Sequence, residues 1–224
     1  MQPTYLPWAG YFNLINSVDT FVFLDDVQFE KSSWQSRNRI LANGVETYLT
    51  VPIKRQGLNT QIKDVLINDN TPWRKKHYMT VSQAYSKVSQ GEDIIDLFEE
   101  IVKDKSIEKV VSLNTRFIIL VSNALGLHTD FVFASDLNCE GNRSSHIVEI
   151  CKSIAATEYL SPEGAREYLT EDGIFNESNI SLSFQKFVPG VYNQIKAPNF
   201  VSHLSILDVI ANLGWKNTLA YISN

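Results

Sequence analysis

The sequence predicts an α/β layered domain with a largely parallel sheet, one β-hairpin insertion and helices on its faces. Three observations support this. Short apolar runs at Thr20 to Leu24 and Asp130 to Ala134 have the composition of strands buried on both faces. They alternate with longer stretches whose apolar residues recur at three and four, as helices require. Between two further apolar runs stands Asn43-Gly44, a strong hairpin-turn signal.

Pro3 and Pro7 make the opening extended or turning, since each fixes its own φ and keeps its predecessor out of the α region. A helix from Ala9 to Val18 follows, with Tyr11, Phe12, Leu14, Ile15 and Val18 on its buried face. A loop, a helix and a buried strand normally follow a strand of their own. Either a strand precedes Met1 in a longer chain, or the loop is anchored some other way. After the hairpin, Ile62 to Ile67 reads as a strand and Pro72 to Lys87 as a helix capped by Thr71. Helices are expected over Glu92 to Lys103 and Ile107 to Leu125, the latter ending at Gly126. A polar loop after the Asp130 strand leads to a helix bearing Ile147, Ile150, Cys151 and Ile154 on one face. Thr157 to Leu160 and Ser181 to Phe187 read as strands, Ser161-Pro162 as a helix start, and Leu204 to Ile222 as a helix broken near Gly214. The chain fits one domain over residues 1–224, with 71–126 readable as a helical sub-lobe.

At 44% apolar and 20% charged residues the composition is that of a globular protein, not a disordered one. The strongest apolar run, Phe117 to Val121, is far shorter than a bilayer span, and the amino terminus has no secretory pattern. A cytoplasmic location is expected. Cys139 and Cys151 are expected to be free thiols, Cys151 as a small core residue. A net charge of -5 argues against general affinity for nucleic acid or anionic membranes. The basic residues nevertheless cluster at Arg37 and Arg39, Lys54 and Arg55, and Arg74 to His77. That pattern suits one anionic small molecule, although each cluster also reads as solvated surface.

Dinucleotide and phosphate-loop glycine motifs, the nucleophile elbow and the zinc-helix motif are all absent from the sequence. His77, His128, His146 and His203 share no ligand spacing, so no metal and no cofactor are predicted. Asp25 and Asp26 close a buried strand, where α/β sheets present ligands; they read either as catalytic carboxylates or as strand-end caps. His77 lies at the edge of a buried helical face and reads either as a third catalytic group or as a satisfied interfacial histidine. The candidate binding set is Gln2, Tyr5, Trp8 and Tyr11 from the opening segment; Gln28, Lys31, Trp34, Arg37, Asn38 and Arg39 after the strand; and Lys54, Arg74 and Arg143. Arg143 stands with Ser144 and Ser145 at a helix amino end, which suits either an anion site or simple capping.

Several stretches are unusual as text: QPTYLPWAGYFNLI from Gln2, DTFVFLDDVQFEKSSWQSRNRI from Asp19, WRKKHYMTVSQAY from Trp73, EYLSPEGAREYL within Gly141 to Leu169, and FVSHLSILDVIANLG from Phe200. With them the chain resembles the WbqC-like family of bacterial proteins over nearly its whole length. The resemblance implies a role in O-antigen or related surface-polysaccharide biosynthesis, as a transferase placing glycine or another acyl group on an amino sugar. The expected partner is then a nucleotide-linked amino sugar; the residues set no oligomeric state. A non-catalytic nucleotide-sugar-binding or scaffold protein is the alternative. A nucleotidyltransferase, which would need a divalent metal near the Asp pair, is a third reading; the opening also looks like that of nucleotidyl-transferring α/β enzymes, without their histidine pair, a likeness of architecture more than of mechanism.

Overall fold

The structure is a computed structural model that describes all residues from Met1 to Asn224. The first half of the chain runs α1 (Ala9–Asn16), β1 (Thr20–Phe23), β2 (Arg37–Ala42), β3 (Val45–Thr50), α2 (Trp73–Tyr85), α3 (Gly91–Lys103) and α4 (Val110–Ala124). The second half runs β4 (Asp130–Phe133), α5 (Ala134–Leu137), α6 (Arg143–Ser153), β5 (Glu158–Ser161), α7 (Arg166–Asp172), β6 (Ser181–Phe184) and α8 (Ile206–Ile222). β1 pairs in parallel with β4, β5 in parallel with β6, and β2 antiparallel with β3. The class is therefore mixed α/β with one hairpin, as the sequence predicts. The parallel strands are divided between two separate pairs, and no hydrogen bond joins them into one sheet. In the hairpin, Asn43 and Gly44 have φ of 52° and 79°. Two successive positive values are what a two-residue turn between right-twisted strands needs.

Two expectations change. Ile62–Asp64 is a 3-10 turn rather than the start of a strand. Its neighbours are single loop positions, with Ile62 N donating to Val27 O and Lys63 N to Asp25 O, so no ladder can extend. Thr71 makes no cap bond, and Pro72 itself occupies the cap position of α2.

Phe12, Phe23, Val81, Phe98, Phe117 and Ile210 belong to one core, to which the helices of residues 71–126 contribute. A second, smaller core gathers Ile147, Cys151, Leu169 and Phe175 between α6, α7 and the β5–β6 pair. Both cysteines are free, and burial pushes the Cys151 thiol up to about 11. Gln185 to Ser205 has no helix or strand. It is held by Gln185 Nε2 donating to Gly10 O at 2.7 Å, and by Tyr192 and Gln194 donating to the buried Asp208 carboxylate at 2.7 and 3.0 Å. No helix is long and apolar enough to cross a membrane.

The opening loop is the unusual element. Pro3, Tyr5, Leu6 and Pro7 are buried, and Leu6 sits at φ 46°, an uncommon state for a bulky residue. Buried loops leave carbonyls that water cannot reach. Two asparagines supply the donors. Asn38 Nδ2 donates to the carbonyls of Tyr5 and Leu6 at 3.0 and 2.9 Å, and Asn114 Nδ2 to those of Pro3 and Gln35 at 3.1 and 2.8 Å. Tyr5 N donates to Trp34 O, and Ile206 N to Pro7 O. The Tyr5 hydroxyl meets His77 Nδ1 at 2.9 Å. His77 also bonds the Thr50 backbone, and burial lowers its pKa from 6.5 to about 4.

Two outcomes are expected. Asn38→Leu keeps the bulk of the side chain but leaves the Tyr5 and Leu6 carbonyls unpaired, at a cost of about 2–5 kcal/mol. Urea unfolding measures it, and a loss below about 1 kcal/mol would show that the loop does not depend on this amide. For His77, the folded pKa lies below the unfolded one, so the unfolded chain binds the proton first as pH falls. Its contribution is full above 6.5 and is lost towards about 4; the total is at most about 3 kcal/mol. The urea midpoint should fall between pH 7.5 and pH 4.5 less in His77→Gln than in the wild type; equal falls would assign the effect elsewhere.

Candidate functional site

β1 and β4 run side by side and end together at Phe23 and Phe133. Polar groups just beyond their carboxyl ends therefore converge. Asp25 is buried, with Oδ1 accepting from Ser135 N at 3.0 Å and Oδ2 from Ser135 Oγ at 2.7 Å. Both oxygens are committed to the first turn of α5. Asp25 thus fastens the two strand ends together, with both oxygens occupied by Ser135.

Asp26 points elsewhere. Its Oδ2 lies 3.0 Å from His146 Nε2, with side-chain exposures of 13% and 10%, and its Oδ1 is buried without a partner. His146 projects from the first turns of α6, and its Nδ1 stands 3.4 Å from Glu140 O, at the outer limit of a hydrogen bond. Both ring nitrogens therefore face acceptors, and a neutral ring can donate to only one: Nε2–H on Asp26 leaves the Nδ1 lone pair towards Glu140 O, and Nδ1–H on Glu140 leaves the Nε2 lone pair towards Asp26. The first form is the one in which a carboxylate orients a histidine whose other nitrogen can take a proton. The Met1 ammonium is close by. It donates to Val22 O at 2.7 Å, and burial lowers it to about 5 against the opposing pull of Cys151 and Asp26.

The remaining candidates separate into several places. On the exposed face of the hairpin, Trp34 stacks on Tyr48 at 6.5 Å and 19°, and the Arg37 guanidinium lies 5.2 Å from the Tyr48 ring centroid. Arg39 shares that face but is paired with Glu46 at 2.5 Å and reaches Ser202 O at 3.3 Å. Gln28, Lys31, Lys54 and Arg143 are exposed. Arg143 has φ 49° at the start of α6, where Ser145 Oγ reaches back to accept from Asn142 N.

Others are consumed by the fold. The Arg74 guanidinium is buried against Asp69 and the carbonyls of Val102, Asp104 and Ile107, so no donor remains for an anion. In return the Asp69 carboxyl is held below its ordinary range, chiefly by the Arg74 hydrogen bond. His77 serves Tyr5 and Thr50 rather than the Asp pair. Asn38 and Tyr5 are buried in the loop anchor, Tyr11 donates to Gln2 O at 3.1 Å, and the Gln2 side chain accepts from Gln35. Trp8 lies over Gly10, where a Cβ would come within 2.2 Å of the ring, and packs 4.6 Å from His203 and 5.6 Å from Phe187.

His146 and Tyr48 were not among the sequence candidates. Both were within reach. His146 is four residues before Ile150 and so shares its face of α6, and the Asn43-Gly44 turn sets a register that puts Tyr48 opposite Arg39.

The model of the WbqC-like protein family matches residues 2–220. An uncharacterized protein of Mycobacterium tuberculosis (strain ATCC 25618 / H37Rv) is 32% identical over 217 residues, covering 96% of this chain and 92% of the relative. No solved structure matches the chain. With a family match spanning loop, hairpin, helical body and the Asp26–His146 strand ends alike, the chain belongs to the WbqC-like protein family.

Proposed function

We propose that the protein is a transferase of bacterial surface-polysaccharide biosynthesis that acylates the amine of a nucleotide-linked amino sugar. The observation that carries this is the Asp26–His146 pair at the carboxyl ends of parallel strands, the place where α/β folds present reactive groups. In the reaction the amine nitrogen bonds to the acyl carbon, the bond from that carbon to its leaving group breaks, and the amine proton passes to His146 Nδ1. Asp26 holds the ring in the tautomer that can accept it. Arg37, Trp34 and Tyr48 would take the anionic and planar parts of the nucleotide. Nucleotide sugars are cytoplasmic metabolites, so the same proposal places the protein in the cytoplasm.

A second reading, a non-catalytic nucleotide-sugar binder, is favoured by the Trp34–Tyr48–Arg37 stack, which can hold a ligand without chemistry. A nucleotidyltransferase fits less well. It needs carboxylates for a divalent cation, and both Asp25 oxygens are already engaged by Ser135.

The test screens nucleotide sugars by thermal shift, then incubates those that stabilise the protein with activated acyl donors and follows the sugar mass. Acyl addition by the wild type is expected, with His146→Gln at least about 100-fold slower yet still stabilised by the sugar. Stabilisation without mass gain for every donor would establish the binding protein instead. Full activity in His146→Gln would remove His146 from the mechanism.

A further inference from the structure

The hairpin has two outer edges, and the chain covers only one of them. Val51 N donates to Ser36 O, and the two-residue turn joins Ala42 to Val45, so the odd-numbered residues of β3 turn their backbone groups to β2. Those of Glu46, Tyr48 and Thr50 then face outward. On β2, the outward carbonyl of Arg39 accepts from Ser205 N, in the segment that also bridges to Trp8. On β3, the Thr50 backbone is met by His77. Glu46 and Tyr48 are exposed, and no other backbone segment bonds either of them.

Protected edges carry lysine, proline or a bulge that turns incoming strands away. β3 has none of these. Its register runs unbroken from Thr50 to Val45, and Val45 and Tyr48 are 64% and 51% exposed. The shortness of the open edge also selects its partner. Only Glu46 and Tyr48 have free backbone groups, and one arrangement uses all of them: an antiparallel copy of the same strand, with Thr47 facing Thr47 across a two-fold axis. Glu46 then exchanges hydrogen bonds with the partner's Tyr48, and Tyr48 with the partner's Glu46. A register centred on Tyr48 would set Glu46 against Thr50, whose backbone His77 already bonds; one centred on Glu46 would set Tyr48 against Gly44 of the turn. The side chains agree with the first register. On one face Val45 comes beside the partner's Leu49, and on the other Tyr48 comes beside the partner's Glu46. Arg37 lies over the Tyr48 ring, and the hairpin's own carboxylate, Glu46, is paired with Arg39 instead. The partner's Glu46 supplies Arg37 with an opposite charge.

We infer that the protein forms a two-fold dimer through β3, with Thr47 at the axis and the two hairpins joined into one antiparallel four-stranded sheet in the order β2, β3, partner β3, partner β2. Such an interface is isologous and closes on itself. Once it forms, neither copy keeps an open β3 edge, so pairing stops at two chains. The two Trp34–Tyr48–Arg37 stacks then flank the axis, and each gains the partner's Glu46 beside its tyrosine. The inference rests on backbone geometry and is independent of the transferase proposal, since its readouts need no activity.

Sedimentation velocity and amide hydrogen exchange on the full chain, at concentrations up to about 300 μM, test it. A mass of two chains is expected at the upper end. In that state the Glu46 and Tyr48 amides, which face water in a single chain, should exchange at least about tenfold more slowly than unstructured amides. Glu46→Pro removes an N–H that only the partner uses, and is expected to stay monomeric with the wild-type circular dichroism spectrum. Glu46→Ala keeps that N–H and should still dimerise, no more than about tenfold more weakly. A monomer at every concentration would leave the edge to another strand or to water and overturn the inference. So would a dimer whose Glu46 and Tyr48 amides exchange freely, or a folded Glu46→Pro protein that dimerises as tightly as the wild type. Where proline disturbs folding, the protection of the two wild-type amides decides alone.

Discussion

The rest of the structure depends on burying an irregular loop. Residues 3–7 lie inside the protein without helix or strand, and their carbonyls must find donors there. Asn38 and Asn114, each giving one amide to two carbonyls, supply them from β2 and α4. Those elements are thereby tied to the loop, the loop to Trp34 and α8, and the hairpin to the helical body. Asparagine suits the task because one NH₂ offers two protons without a charge to desolvate. The polar crowd near the amino end is thus partly scaffold, which is why Asn38, Tyr5 and Gln2 bind the chain itself.

The adjacent acids Asp25 and Asp26 divide two tasks. Asp25 accepts two hydrogen bonds from one residue, one on each oxygen, and fixes where β1 ends relative to β4. Asp26, one residue further on, inherits that fixed position and presents its carboxylate to His146. In the mechanism proposed above, a rigid neighbour is what this pair needs, since small displacements of a base are costly in rate. The same alternation governs the hairpin. Asn38 points inward to the loop while Arg37 and Arg39 point outward beside Tyr48.

Local features were legible in the sequence where local physics decides them. The Asn43-Gly44 turn, the strand from Thr20, the helix after Pro7 and the break at Gly214, which has φ 74°, all follow from backbone preference and periodicity. Long-range choices were not. The roles of Asp25 and Asp26 are separated by Ser135 and His146, and the Asp25 partner lies 110 residues along the chain. Arg74 reads from the sequence as an anion-binding candidate in one cluster with Lys75 and Lys76, yet its partners come from α3 and the turn before α4. Strand order likewise depends on which edges meet, and composition carries no record of that.

Asp208 has one more consequence. Burial raises its pKa, while Tyr192, Gln194 and Tyr85 all donate to its carboxylate in compensation. Two of the three donors belong to the irregular stretch from Gln185 to Ser205, which also covers Trp8 through Phe187 and His203. Two of its inner holds converge on that one carboxylate, and Gln185 pins its start to Gly10, so the middle of the stretch loses both inner holds together. It should open as a single foldon, below the energy of global unfolding, and each opening bares the indole of Trp8 to solvent.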